Sequence, residues 1–185
     1  MCGRYQLADQ DNDEVEEIIR QVQRSIDGGA AIKTGEIYPS NVVPVYQKEG
    51  LKALSWGFPK WNGKGLIINA RSETASEKSM FSKALRARRC VIPSTGFFEW
   101  SRVSGKTKGK YIFNVPGRRM LYMAGVANGE SFVILTRAAN QYMAIHDRMP
   151  VILEADEMGA WLRDDQFISK LFGRGGAVLE MKLSS

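Results

Sequence analysis

The sequence predicts a single α+β domain over residues 1–185, whose mainly antiparallel, β-barrel-like sheet is curled and partly closed and carries peripheral helices. Three observations support this. The length of 185 residues is close to the roughly 150 residues of one domain. The composition, 44% hydrophobic and 25% charged with 18 Gly and 6 Pro, is that of an ordinary globular chain, which excludes disordered and collagen-like readings. From Cys90 onwards, short apolar runs alternate with turn residues, and helical patterns lie before and after them. Many short strands with added helices suit a sheet that bends back on itself.

Element by element, Arg4 to Leu7 reads as an opening strand. Asp11 to Asp27 then places Val15, Ile18, Ile19, Val22 and Ile26 at helical spacing. Acidic residues in the first turn suit the helix dipole, and Gly28 and Gly29 supply a stop. Val42 to Gln47, the turn Lys48-Glu49-Gly50 and Leu51 to Trp56 read as a hairpin. Leu66 to Ile68 is an apolar strand, and Ser79 to Arg88 a second helix. Strand patterns follow at Cys90–Ile92, Gly96–Trp100, Tyr111–Val115, Leu121–Ala127 and Ser131–Thr136. Ser101 to Lys110, with Gly105, Gly109 and four basic residues, reads as a solvated hairpin tip or, alternatively, as a nucleic-acid contact. Helices over Asp156–Arg163 and Gln166–Phe172 and a strand over Ala177–Leu183 complete the chain. No internal repeat is present.

The 26 Lys and Arg against 20 Asp and Glu give a net charge of +6, which suits an anionic partner. Acid is concentrated between Asp9 and Glu17 and base at Lys83 to Arg89 and Arg102 to Lys110, so one face is expected to be basic. Cys2 and Cys90 cannot build a disulfide framework and are expected as free thiols in a reducing compartment. With one histidine, His146, and no ligand spacing, neither a metal nor another cofactor is expected. No run approaches the ~18 apolar residues of a membrane span, and the first residues lack an apolar signal segment. A cytoplasmic protein is expected.

Chemistry concentrates at a few positions. If Met1 is trimmed, Cys2 carries a thiol and a free α-amine on adjacent carbons. With a pKa of about 7.7–8.0, such an amine is on the order of a tenth neutral at pH 7. A 1,2-aminothiol condenses with an aldehyde to an imine and closes to a thiazolidine; the competing reading is a frayed, inert terminus. Glu99, inside Gly96-Phe97-Phe98-Glu99-Trp100, shares a strand face with Phe97. It is either a general acid/base with a pKa raised by burial or a carboxylate paired to an arginine or facing solvent. His146 is the only imidazole, though a lone histidine is usually structural; its neighbours Asp147 and Arg148 can pair, and Pro150 is expected to end any helix there. Asn69 and Arg71 leave one face of a strand end, where they can hold a phosphate or sugar. Trp56 and Trp61, in Trp56-Gly57-Phe58-Pro59-Lys60-Trp61, offer a stacking platform for bases or belong to the core. Cys90 reads as a buried, unreactive thiol.

Five segments in order, MCGRY, WGFPKW, INARSET, RRCVIPSTGFFEW and IHDRMPVIL, resemble the SRAP family, the SOS response-associated peptidases, from Met1 to about Trp161. The resemblance implies that a terminal cysteine exposed by methionine removal captures the ring-opened aldehyde of an abasic site in single-stranded DNA as a covalent thiazolidine, protecting the lesion. It implies Cys2 as nucleophile, with Gly3 allowing close approach of the deoxyribose and Arg4 meeting the DNA backbone. Asn69 and Arg71 would position the lesion and its flanking phosphates. Glu99 would move protons during imine formation and reversal, and His146 would help open the sugar. The WGFPKW stretch, with Trp56 and Trp61, would form a wedge beside the lesion. The expected partner is single-stranded DNA containing abasic sites, bound by a monomer that is nucleoid-associated when on DNA. No membrane partner is expected.

Two features depart from the family pattern. Glu36 falls where many members carry asparagine, with Asn41 as the alternative match after a small shift, and a carboxylate there would repel phosphate. The chain also ends at Ser185, before the Val-Asn-containing tail the resemblance leads one to expect. Two other functions compete: an N-terminal-cysteine peptidase or amidohydrolase using the Cys2 α-amine as base, and a non-covalent single-stranded DNA-binding module in which Cys2 is irrelevant.

Overall fold

Residues 2–8, 10–24, 31–103 and 106–184 are described by a computed structural model. Strands β1 (Tyr5–Leu7), β2 (Gly35–Ile37), β3 (Val42–Gln47), β4 (Gly50–Trp56), β5 (Phe58–Pro59), β6 (Leu66–Ile67) and β7 (Asn69–Arg71) come first, with helix α1 (Asp13–Arg24) between β1 and β2. Helix α2 (Ser79–Ala87) leads to β8 (Arg89–Ser94), β9 (Gly96–Val103), β10 (Lys106–Asn114), β11 (Leu121–Asn128), β12 (Ser131–Ala138), β13 (Arg148–Pro150) and β14 (Ile152–Leu153). A 3-10 turn (Ala155–Glu157), helices α3 (Met158–Arg163) and α4 (Gln166–Gly173), and β15 (Glu180–Ser184) close the order.

These strands form two main sheets. One is antiparallel in the order β15-β10-β9-β1-β2. The other runs β13-β12-β4-β3-β8-β11-β14, and β12 also pairs with β11, so the sheet meets itself around β12, β4, β3, β8 and β11. The predicted α+β fold with a curled, partly closed sheet is observed. Its pairing is mainly antiparallel, with β12 parallel to β4 and β7. Close approach inside the ring explains Gly125: a Cβ there would lie 2.5 Å from the Ile92 side chain and 2.7 Å from the Val133 carbonyl.

Apolar side chains fill two clusters. The first holds Cys2, Tyr5, Leu7, Trp56, Phe97, Phe113 and Phe132. The second lies under α2, α3 and α4, through Phe81, Leu85, Trp161, Phe167 and Leu171. Helix α1 opens at Asn12, whose side-chain oxygen accepts the Val15 N–H at 3.3 Å, and buries Val15, Ile18 and Val22; the expected stop at Gly28 and Gly29 lies outside the described residues.

Three local expectations are corrected. Ser101 to Lys110 is not one long tip: β9 and β10 continue through most of it and pair as far as Val103 with Lys106, because the extended backbone gains ladder hydrogen bonds. The segment before Pro150 is strand β13, paired with β12; proline is tolerated on a strand at a sheet edge. Asp147 and Arg148 do not pair with each other. Arg148 instead reaches Glu73, which offers both carboxylate oxygens to its guanidinium fork.

Candidate active site

The site forms where the two sheets face each other at the start of β1. Register determines which residues meet. On the first sheet, β1 pairs with β9 through Tyr5–Phe97 and Gln6–Gly96, and the Phe98 N–H donates to the Arg4 carbonyl at 2.9 Å. Continuing that ladder brings Glu99 level with Gly3, beside Cys2. From the second sheet, β7 lies parallel to β12 with Asn69 opposite Ile134. Asn69 Nδ2 then donates to the Cys2 carbonyl at 2.9 Å, tying the first residues of the chain to the other sheet.

Cys2 is fully buried, and its Sγ lies 3.7 Å from the Arg4 carbonyl. Burial, together with the nearby Glu99 carboxylate, pushes its thiol pKa well up. Glu99 is 5% exposed. Burial raises its pKa too, while His146 pulls in the opposite direction. These mutual influences place Cys2, Glu99 and His146 in one electrostatic neighbourhood. His146 is partly exposed: its Nδ1 lies 2.9 Å from the Asp147 carboxylate and 3.0 Å from the Arg148 backbone N–H. A neutral Nδ1 can accept the backbone proton, and a protonated one can donate to Asp147. The imidazole therefore has a partner in either state.

The other predicted residues separate by exposure. Arg71 is exposed and, with Asn69, Lys78, Ser79, Met80 and Phe81, lines an open cleft of about 610 Å³. Trp61 is 93% exposed, on the turn between β5 and β6. Trp56 is fully buried; its ring lies 5.2 Å from Tyr5 and 6.5 Å from Phe132, and its Nε1 donates to the Ile68 carbonyl at 3.0 Å. This corrects the expected wedge. Strand alternation turns Trp56 inward, where it supports β1 and β7, and only Trp61 offers an open face. Gly3 is half-buried, whereas Arg4 is engaged by Glu36 at 2.9 Å.

Three residues near the site were not singled out by the sequence. The Tyr5 hydroxyl is buried without a hydrogen-bond partner among the described residues, and burial and the proximity of Cys2 raise its pKa. Glu73 holds Arg148 next to His146. Lys110 shares Glu36 with Arg4. Of these, only Tyr5 carried a local signal: on a strand it shares the face of Gly3 and Leu7. Among the described residues, no three His, Cys, Asp or Glu side chains converge as metal ligands, and no helix is long and apolar enough to cross a membrane.

The profile of the SOS response associated peptidase (SRAP) family matches residues 1–172. The chain belongs to this family. Among SRAP relatives, it is 33% identical over 181 residues to the abasic site processing protein YoqW of Bacillus subtilis (strain 168), covering 88% of this chain and 80% of that one. It is 28% identical over 180 residues to the abasic site processing protein YedK of Escherichia coli (strain K12), covering 89% and 81%. The abasic site processing protein HMCES of Xenopus tropicalis is 31% identical over 149 residues, 60% of this chain and 44% of its own. The SRAP fold recurs in crystal structures of a Bacteroides thetaiotaomicron protein, with TM-score 0.76, 20% identity and coverage of 100% and 92%, and a Bordetella bronchiseptica protein, with TM-score 0.75, 23% identity and full coverage of both chains.

Proposed function

We propose that this protein recognises abasic sites in single-stranded DNA and captures them covalently through Cys2 as a thiazolidine, shielding the lesion during the response to DNA damage. The observation that carries this reading is the grouping of a carbonyl-anchored Cys2 with two proton-transfer groups, Glu99 and His146. The abasic-site names of its relatives support the same substrate. Exposed Arg71 and Trp61 suit a strand bound by phosphate contact and base stacking. The protein would act as a cytoplasmic monomer that joins the nucleoid when bound to DNA.

The mechanism starts once Met1 has been removed. Abasic deoxyribose is mostly a cyclic hemiacetal, and His146 protonates the ring oxygen while the proton released by the anomeric hydroxyl restores it, as the sugar opens to its aldehyde. The α-amine of Cys2 attacks that carbon, and the proton the nitrogen loses passes to the new alkoxide oxygen, giving a carbinolamine. Glu99, held protonated into a higher pH range by burial, gives its proton to the departing hydroxyl, which leaves as water. The Cys2 sulfur adds to the carbon of the resulting protonated imine, and the thiol proton returns to the Glu99 carboxylate, closing the ring. The reverse sequence, assisted by the same carboxyl, releases the DNA. Asn69 holds the Cys2 carbonyl throughout, and Gly3 leaves room for the sugar.

The peptidase reading fits less well. A cysteine hydrolase attacks with a thiolate, whereas burial here favours the protonated thiol. Thiazolidine formation begins with the amine. A passive binding module would give Glu99 and His146 no chemical work beside Cys2.

The test uses protein whose intact mass shows Met1 removed, incubated with single-stranded DNA bearing one abasic site and run on a denaturing gel. A heat-stable shifted band is expected, and Cys2→Ser should abolish it because the ring requires sulfur. A band that persists in Cys2→Ser, or no band from the trimmed protein, overturns the reading.

A further inference from the structure

The side chain of Glu36 bridges two cations beside the start of β1. One carboxylate oxygen accepts from Arg4 at 2.9 Å and the other from Lys110 at 2.8 Å. Burial works against the charge on Glu36, but hydrogen bonds from Lys110 and Arg4 outweigh it and hold its pKa below the usual carboxylate range. Both cations also have a second set of partners that does not depend on Glu36. The Arg4 guanidinium lies 3.9 Å from the centre of the Tyr38 ring and 5.0 Å from that of Trp100. The Lys110 ammonium lies 4.2 Å from the centre of the Phe98 ring. Aromatic faces attract and orient such cations, so the pair keeps its place if the carboxylate leaves. The Glu36 side chain is 27% exposed, open enough for an incoming anion to compete.

A phosphodiester carries one negative charge and two non-bridging oxygens, with a bite like that of a carboxylate. We propose that Glu36 is a specificity-determining residue that occupies a ready-made phosphate site, and that the Arg4–Lys110 pair takes a backbone phosphate of the captured strand only when Glu36 is displaced. This deepens the single-stranded DNA reading given above and rests on it. With Glu36 in place, the cluster of two cations and one anion offers a passing, lesion-free strand little attraction. A strand held at Cys2 by its lesion keeps a phosphate nearby long enough to exchange with the carboxylate. Glu36 thus suppresses unproductive binding.

The experiment measures non-covalent binding of lesion-free oligothymidine across a salt series, so its readout needs no crosslink. Glu36→Gln should bind about 3- to 10-fold more tightly than wild type at low salt, with the log–log salt slope steeper by about 0.7 for each additional phosphate neutralised on a single strand. Adding Lys110→Gln to Glu36→Gln should cancel most of that increase, while Lys110→Gln alone should cost the wild type less. Glu36→Asp keeps the charge but is too short to bridge both cations, and should give an intermediate increase. It also serves as the reading if the glutamine variant does not fold. Unchanged affinity and slope in both Glu36 variants overturn this inference alone, as does an increase that survives Lys110→Gln. Absence of any binding by wild type and variants overturns the inference and the DNA reading together.

Discussion

Glu99 and Glu73 are carboxylates near the same site, and their surroundings drive them in opposite directions. Glu99 sits on β9, 5% exposed, where burial raises its pKa. Glu73 lies just after β7 with about half of its side chain in solvent. Its pKa is held down to about 2, first by the Arg148 hydrogen bonds and further by backbone donors, including the Ala138 N–H. One group holds its proton into a higher pH range than an ordinary carboxylate, and the other stays ionised as an anchor. The lesson is that partners, rather than residue type, separate chemistry from scaffolding in this protein.

The largest effect expected from that contrast is on rate. Glu99→Gln keeps the shape of the side chain and removes its titration, so adduct formation should slow by about 100-fold, the low end of what a positioned acid–base group supplies. Removing a buried carboxylate that resists ionisation should leave folding at pH 7 intact or improved. Single-turnover crosslinking followed on denaturing gels, alongside a urea melt, reads both quantities. A Glu99→Gln protein that crosslinks at the wild-type rate would break the contrast.

Glu73→Ala should act on stability before rate. It strips Arg148, whose side chain is 10% exposed, of its fork partner and leaves the Thr136 carbonyl, 2.7 Å from Nη2. Charge-assisted hydrogen bonds contribute about 1.5–3 kcal/mol, and the solvent around Glu73 screens part of that, so a loss of about 1–2 kcal/mol is expected from urea unfolding. A variant of unchanged stability but slowed crosslinking would move Glu73 to the chemical side of the comparison.

The sequence made one of these carboxylates visible and concealed the other. Glu99 stands out because a charge interrupts an apolar strand, and Cys2 because of its position. The Glu73–Arg148 pair joins residues 75 apart, and nothing local marks either as the other's partner. The same limit applies to Arg4, just before β1, and Glu36 on β2, which the β1–β2 ladder brings together. Trp56 and Trp61 share one motif, yet the first ends β4 inside the core and the second lies on an open turn; their common neighbours could not separate them. The longer strands and helices were legible from periodicity. The three residues of β13 and the two of β14 were not, because runs that short gain their order from pairing with β12 and β11.

The smallest effect separates the carboxylates by pH. Glu73 has a folded pKa below its unfolded value, so its contribution to stability is complete above the unfolded pKa of about 4.3 and is lost as pH falls through the folded value of about 2. Glu36 and Glu157 are also held low by their cationic partners, so the wild-type curve alone mixes several groups. The difference between wild type and Glu73→Gln isolates one of them. That difference should be about 1 kcal/mol at pH 6, constant above pH 5, and should shrink towards zero as pH approaches 2. For Glu99→Gln the sign reverses: a carboxyl with a raised folded pKa disfavours the folded state once ionised. The variant should therefore match wild type at low pH and gain on it as pH rises. Parallel urea melts between pH 2 and 8 measure both differences, and two curves that bend in the same direction would show that the two carboxylates are not opposites after all.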